Sequence, residues 1–109
     1  MKLKDGLVLR KVAGQFIIVP TGKRVQEITN IVYISSSAAY LWDYMKDNEF
    51  TIEKLVDLIM EHYTGVTKEM AQQDVEGFIQ VLKKNHILEP EPGEQETMEG
   101  YVRIRIEDQ

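Results

Sequence analysis

At Ser35 the apolar residues of this chain change their spacing, and that switch restricts the fold more than any other feature of the sequence. Before it, β-branched and apolar residues come in short runs. Leu7–Val12 and Gln15–Pro20 flank Ala13-Gly14, a turn signal, and read as an antiparallel hairpin. Pro20, Thr21 and Gly22 end the second run, because proline has no N–H to give to a ladder. A polar connection through Lys23 and Arg24 leads to a third expected strand, Asn30–Ile34. After the switch the spacing is helical. Ala38, Leu41, Trp42 and Met45 recur at i, i+3, i+4 and i+7 behind a cap supplied by Ser35 or Ser36. Thr51 caps a second stripe of Ile52, Leu55, Val56, Ile59 and Tyr63, which Gly65 breaks. Thr67 opens a third, with Ala71, Val75, Phe78, Ile79 and Leu82 facing inward, and Asn85-His86 ends it before a short strand over Ile87–Glu89. Gly77 lies inside that third helix at a cost of about 1 kcal/mol against alanine, which points to an exposed position or to the close approach of another backbone. The expected fold is α+β: a three-stranded antiparallel sheet followed by three helices.

A chain of 109 residues has room for one core. With no cysteine it has neither a disulfide framework nor a thiolate metal site, which fits a reducing, cytoplasmic setting. Residues 1–12 carry charges throughout and do not read as a signal peptide. The longest apolar stretch, Phe16–Val19, is far below the roughly 20 residues of a membrane helix, so a soluble protein without a membrane partner is expected. The net charge of −5 divides unevenly, +4 over residues 1–34 and −9 over 35–109. An acidic body argues against nucleic acid as a partner. The basic third is read as a solvated surface of mixed charge or as a means of steering an acidic peptide.

The candidate chemistry is thin. His62 and His86 are far apart at helix ends, and no His/Asp/Glu cluster has metal-ligand spacing, so no metal and no cofactor is expected. Ser35–Ser37 would need a base and an oxyanion pocket to act as nucleophiles, and helix capping accounts for them better. Trp42, with Ala38 and Ala39 beside it, reads as the hub of the core. The expected protein is therefore not an enzyme. Three strands and three helices also describe a winged helix-turn-helix, so the alternative is a DNA-binding transcription regulator. Its reading helix would be Thr67–Asn85, which has no net charge and no arginine, a poor match to a recognition helix.

Four segments carry a family resemblance. Ile34–Trp42 follows the pattern apolar-Ser/Thr-Ala-Ala-x-apolar-Trp; Thr51–Leu55 reads T-[IV]-x-x-L; Tyr63 ends the helix that follows; and Asp74–Leu82 reads D-V-x-x-F-[IL]-x-x-L. In this order, over roughly residues 5–88, the chain resembles the PqqD-like proteins, the precursor-peptide recognition elements of ribosomally made, modified peptides. The resemblance implies a winged-helix-like fold and a binding role. Such proteins hold the leader region of a precursor peptide and present it to a modifying enzyme, often a radical S-adenosylmethionine (radical SAM) maturase. In the name-giving case the product is the quinone cofactor PQQ. Asp47-Asn48-Glu49 and Asn85-His86 depart from the family pattern, and a peptide product other than PQQ is expected.

The resemblance also implies that the leader adds as a strand beside the third strand, in a groove walled by the third helix. The physical chemistry agrees, since an edge strand carries unpaired N–H and C=O groups ready for an extended peptide. The expected peptide-binding residues are Ile31, Val32, Tyr33 and Ile34 on the strand and Val75, Phe78, Ile79 and Leu82 on the helix, some of the latter being plain core. A third reading has the same edge docking directly onto an enzyme as a regulatory subunit. The expected organisation is a peptide-binding domain over residues 1–88, an acidic disordered linker over 89–100 and a strand-like tail over 101–109. Val102, Ile104 and Ile106 alternate as a half-buried strand does, and the extended linker spans up to about 40 Å. The tail is thus either disordered or a stand-in leader on the edge strand, in cis or by exchange in a homodimer.

Overall fold

The computed structural model describes residues 1–28, 30–97 and 100–103. Strands β1 (Leu7–Val12) and β2 (Gln15–Pro20) form the expected hairpin, with Val12 opposite Gln15 and Leu7 opposite Pro20. Ala13 and Gly14 both take left-handed backbone angles, φ 52° and 79°, as a two-residue turn matched to strand twist requires. One turn of helix, α1 (Arg24–Glu27), interrupts the connection that follows. It buries no residue, so no apolar period announces it. Arg24 anchors it by donating to the Asp5 carbonyl (2.9 Å), the Asp5 carboxylate (2.8 Å) and Glu27 (2.5 Å). The hydrogen bond from Arg24 holds the Asp5 carboxyl below the usual carboxylate range.

Strand β3 (Val32–Ile34) is shorter than expected and lies antiparallel to β2, with Ile18 opposite Val32 and Phe16 opposite Ile34. The sheet order β1-β2-β3 makes β3 an edge. Three helices follow: α2 (Ser36–Met45), α3 (Ile52–His62) and α4 (Lys68–Lys84). Each starts on a side-chain cap. Ser35, Thr51 and Thr67 accept from the amides of Ala38 (3.2 Å), Lys54 (3.1 Å) and Met70 (3.1 Å). Each cap satisfies one of the donors that a helix start leaves open. Thr67→Ala is expected to cost about 1 kcal/mol, read as a lower urea midpoint at unchanged slope. At its other end α4 closes on His86, whose φ of 60° lets Ile87 donate back to the Leu82 carbonyl (2.9 Å).

Inward faces of sheet and helices meet in one cluster that holds Ile18, Val32, Leu41, Trp42, Met45, Leu55, Ile79 and Leu82. The N-terminus joins it. Leu3 is buried and bridges to Leu88, Lys4 donates to the Ile87 carbonyl (2.9 Å), and Phe50 donates to the Met1 carbonyl (2.8 Å). None of the described helices is long and apolar enough to cross a membrane.

The C-terminal segment differs from expectation. Where an acidic linker without structure is expected, Glu94–Thr97 forms β4, antiparallel to β5 (Gly100–Arg103) in a separate two-stranded sheet. The reason is charge. Lys83 meets Glu94 (3.1 Å), Lys4 pairs with Glu96, the N-terminal ammonium meets Glu91 (3.1 Å) and Arg24 approaches Glu89 (3.8 Å). Acids that look like a solvated run in sequence are matched by cations of the basic N-terminal third and of α4. The Glu94 side chain is only 5% exposed. The stand-in leader is corrected in part: Val102 pairs with Gln95 of β4, not with β3. Closing a hairpin on a near neighbour costs less entropy than reaching across the domain. Ile104 and Ile106 lie outside the described residues.

Candidate functional site

Among the described residues β3 pairs with β2 alone, which leaves its other flank as an open edge. Strand period sets what that edge presents: Val32 points into the core, while Tyr33 is 55% exposed. Facing it, α4 has two adjacent stripes. Ala71, Val75, Phe78, Ile79 and Leu82 are buried. Asp74, Gly77 and Val81 lie one residue off that stripe and outside it, with Val81 40% exposed.

Between edge and helix runs a groove of about 330 Å³. Tyr33 and Ile34 form one wall, Asp74, Val75, Gly77, Phe78 and Val81 the other, and Leu41 and Ile59 line it from α2 and α3. Ser35, Ser37 and Ala38 at the start of α2 also contribute to the lining. The Asn30 side chain donates to Asn85 (3.4 Å), tying the entry of β3 to the exit of α4. Because Ser37 and Asp74 share the groove while Asn30 meets Asn85, strand and helix run in opposite senses. Among the described residues, none of β4 lines it.

The eight residues expected at the site divide. Tyr33, Ile34, Val75 and Phe78 line the groove together. Val32, Ile79 and Leu82 are buried in the core, and Ile31, 68% exposed, lies beyond the groove. Sequence reasoning missed Val81, Gly77 and Asp74. Val81 carried a usable signal, an apolar residue one position off the buried stripe; Asp74 carried none.

The groove offers binding chemistry. It has apolar side chains along its length, a main-chain edge without a partner strand among the described residues on one side, and hydroxyls and one carboxylate at the far end. Ser35 is engaged as the α2 cap and lies 3.1 Å from the Ser37 hydroxyl. His62 stacks on Tyr40 at 3.8 Å between ring centres, with Tyr63 edge-on. No group of three or more His, Cys, Asp or Glu able to hold a metal occurs among the described residues.

Comparison with known proteins gives two matches. Residues 18–88, more than half of the chain, match the model of the family described as Coenzyme PQQ synthesis protein D (PqqD). A solved structure, TbiB1 in complex with the TbiA(beta) leader peptide, is similar with a TM-score of 0.61 at 18% identity. That likeness covers 82% of this chain and 95% of the other, and at such identity it speaks for the fold alone. No curated protein sequence matches.

Proposed function

This chain belongs to the PqqD family, and from that premise we propose that it binds the leader region of a precursor peptide by strand addition and presents it to a modifying enzyme. The observation that carries the proposal is the open flank of β3 set against an apolar groove. A peptide laid beside β3 gains main-chain hydrogen bonds from the edge, and its alternate side chains enter the groove toward α4. The first gives strength whatever the sequence, the second gives selectivity. TbiB1, of similar fold, was solved holding a leader peptide, which supports the same use of the fold here. The role is one of binding, not catalysis. The modifying enzyme is proposed to be a radical SAM maturase acting on a peptide that matures to PQQ or to another product.

DNA reading gains no support from α4. Its outward face carries Lys68 beside Glu69 and Glu76, with Gln72 and Gln73 between, so it lacks the positive stripe that phosphates require.

The test uses dodecapeptides selected on the full chain from a displayed random library, then synthesised. Hydrogen exchange of assigned backbone amides is followed with and without peptide. Slowing is expected at an outward-facing amide of Val32–Ile34, by about tenfold or more for an amide that gains a hydrogen bond worth about 1.5 kcal/mol. Slowing confined to the outer face of α4, with none on β3, would contradict strand addition.

A further inference from the structure

Gly77 stands in the interior of α4, where glycine is the poorest choice short of proline. Two structural needs ordinarily keep a glycine in such a place, and neither applies. Gly77 is not among the residues with a positive φ. Beyond its own stretch of helix backbone and its chain neighbours, a Cβ built on it meets no heavy atom within 4 Å, so no packed element excludes a side chain. The folded domain would accept almost any residue there. What the missing side chain does leave open is the groove. Gly77 lines it between Asp74, one turn before, and Val81, one turn after, with Phe78 beside it and Tyr33 and Ile34 opposite.

We infer that Gly77 is a specificity-determining residue, a notch in the α4 wall that admits one large apolar side chain of the incoming peptide. This rests on the reading that the groove takes an extended peptide. A strand added to β3 lies about 4.8 Å beyond it and sends every second side chain toward the helix. Where that side chain meets Val81 it finds bulk; where it meets Gly77 it finds bare backbone flanked by Phe78 and Ile34. The chemistry of those neighbours selects an aliphatic or aromatic group. Size selection follows as well, since a helix side chain at position 77 and a peptide side chain would compete for one space.

The probe is again a set of dodecapeptides selected on the unmodified chain, assayed by fluorescence titration against Gly77→Ala, Gly77→Leu and Gln73→Leu. Gln73→Leu places the same leucine side chain on the outer face of α4, beyond the groove lining. All three variants are expected to keep their helical circular dichroism, and Gly77→Ala to melt at a higher temperature. Selected peptides are expected to share one large apolar position. Gly77→Leu should bind them at least about tenfold more weakly, Gly77→Ala a few-fold more weakly, and Gln73→Leu unchanged. Peptides reselected on Gly77→Leu should carry glycine, alanine or serine at the shared position, an exchange of sizes that a purely structural role would not produce. Equal affinity of Gly77→Leu for the original peptides, or its failure to fold, would overturn the inference and leave strand addition standing. If the unmodified chain selects no peptide at all, the groove reading itself fails.

Discussion

Trp42→Ala is expected to remove about 3–5 kcal/mol of stability, a fifth or more of the roughly 5–15 kcal/mol that a domain of this size has in total. The side chain is 3% exposed, in the single cluster that joins sheet, helices and N-terminal segment. It also lines a cavity with Leu3, Lys4 and Arg24, so it supports the place where the first residues return to the body of the protein. Removing an indole leaves a void that helices fixed by three caps cannot collapse to fill, which puts the cost at the upper end of large-to-small substitutions. Thermal unfolding followed by far-ultraviolet circular dichroism should show a midpoint lower by at least about 10 °C. Val25→Ala is the control: Val25 is exposed on α1, and its loss should change the midpoint little. A Trp42→Ala protein melting where the parent melts would mean that this residue is not the hub of the core.

What was legible in the sequence is what neighbouring residues decide among themselves. Ala13-Gly14 specified the hairpin, and Ser35, Thr51 and Thr67 marked three helix starts, because turns and caps are local chemistry. Elements that depend on distant partners were not legible. Leu3 is one apolar residue among charges, and only its bridge to Leu88 gives it a place. Phe50 and Ile28 are buried singly from connections that have no period. The acidic segment from Glu89 has the composition of a linker, and of the cations that order it Lys4, Arg24 and the N-terminal ammonium lie far away in the chain, with Lys83 of α4 11 residues before its partner Glu94.

The site divides for a related reason. Hydrophobicity finds the inward stripe of α4, but a groove beside a core is lined by the edge of that stripe. Val75 and Phe78 belong to both, Ile79 and Leu82 to the core alone, and Val81 to the groove. Gly77 was visible as an anomaly in the helix, yet its meaning needed the empty space around it.

Strand addition makes a demand on the peptide that no other mode of binding makes. In an extended guest beside β3, successive amides alternate between facing the edge and facing away. N-methylation at an edge-facing position removes a donor and adds a methyl group between the chains. The expected loss is about 100-fold in affinity, from a hydrogen bond left unmade together with the steric gap. At the positions between, the methyl group meets solvent and affinity should hardly change. The measurement is a titration of the full chain with one selected peptide, methylated at each backbone nitrogen in turn. Losses at every second position over the segment that contacts Val32–Ile34 are the expected result. Losses recurring at every third or fourth position, as for a helical guest, or no dependence on position, would contradict binding at the edge of β3.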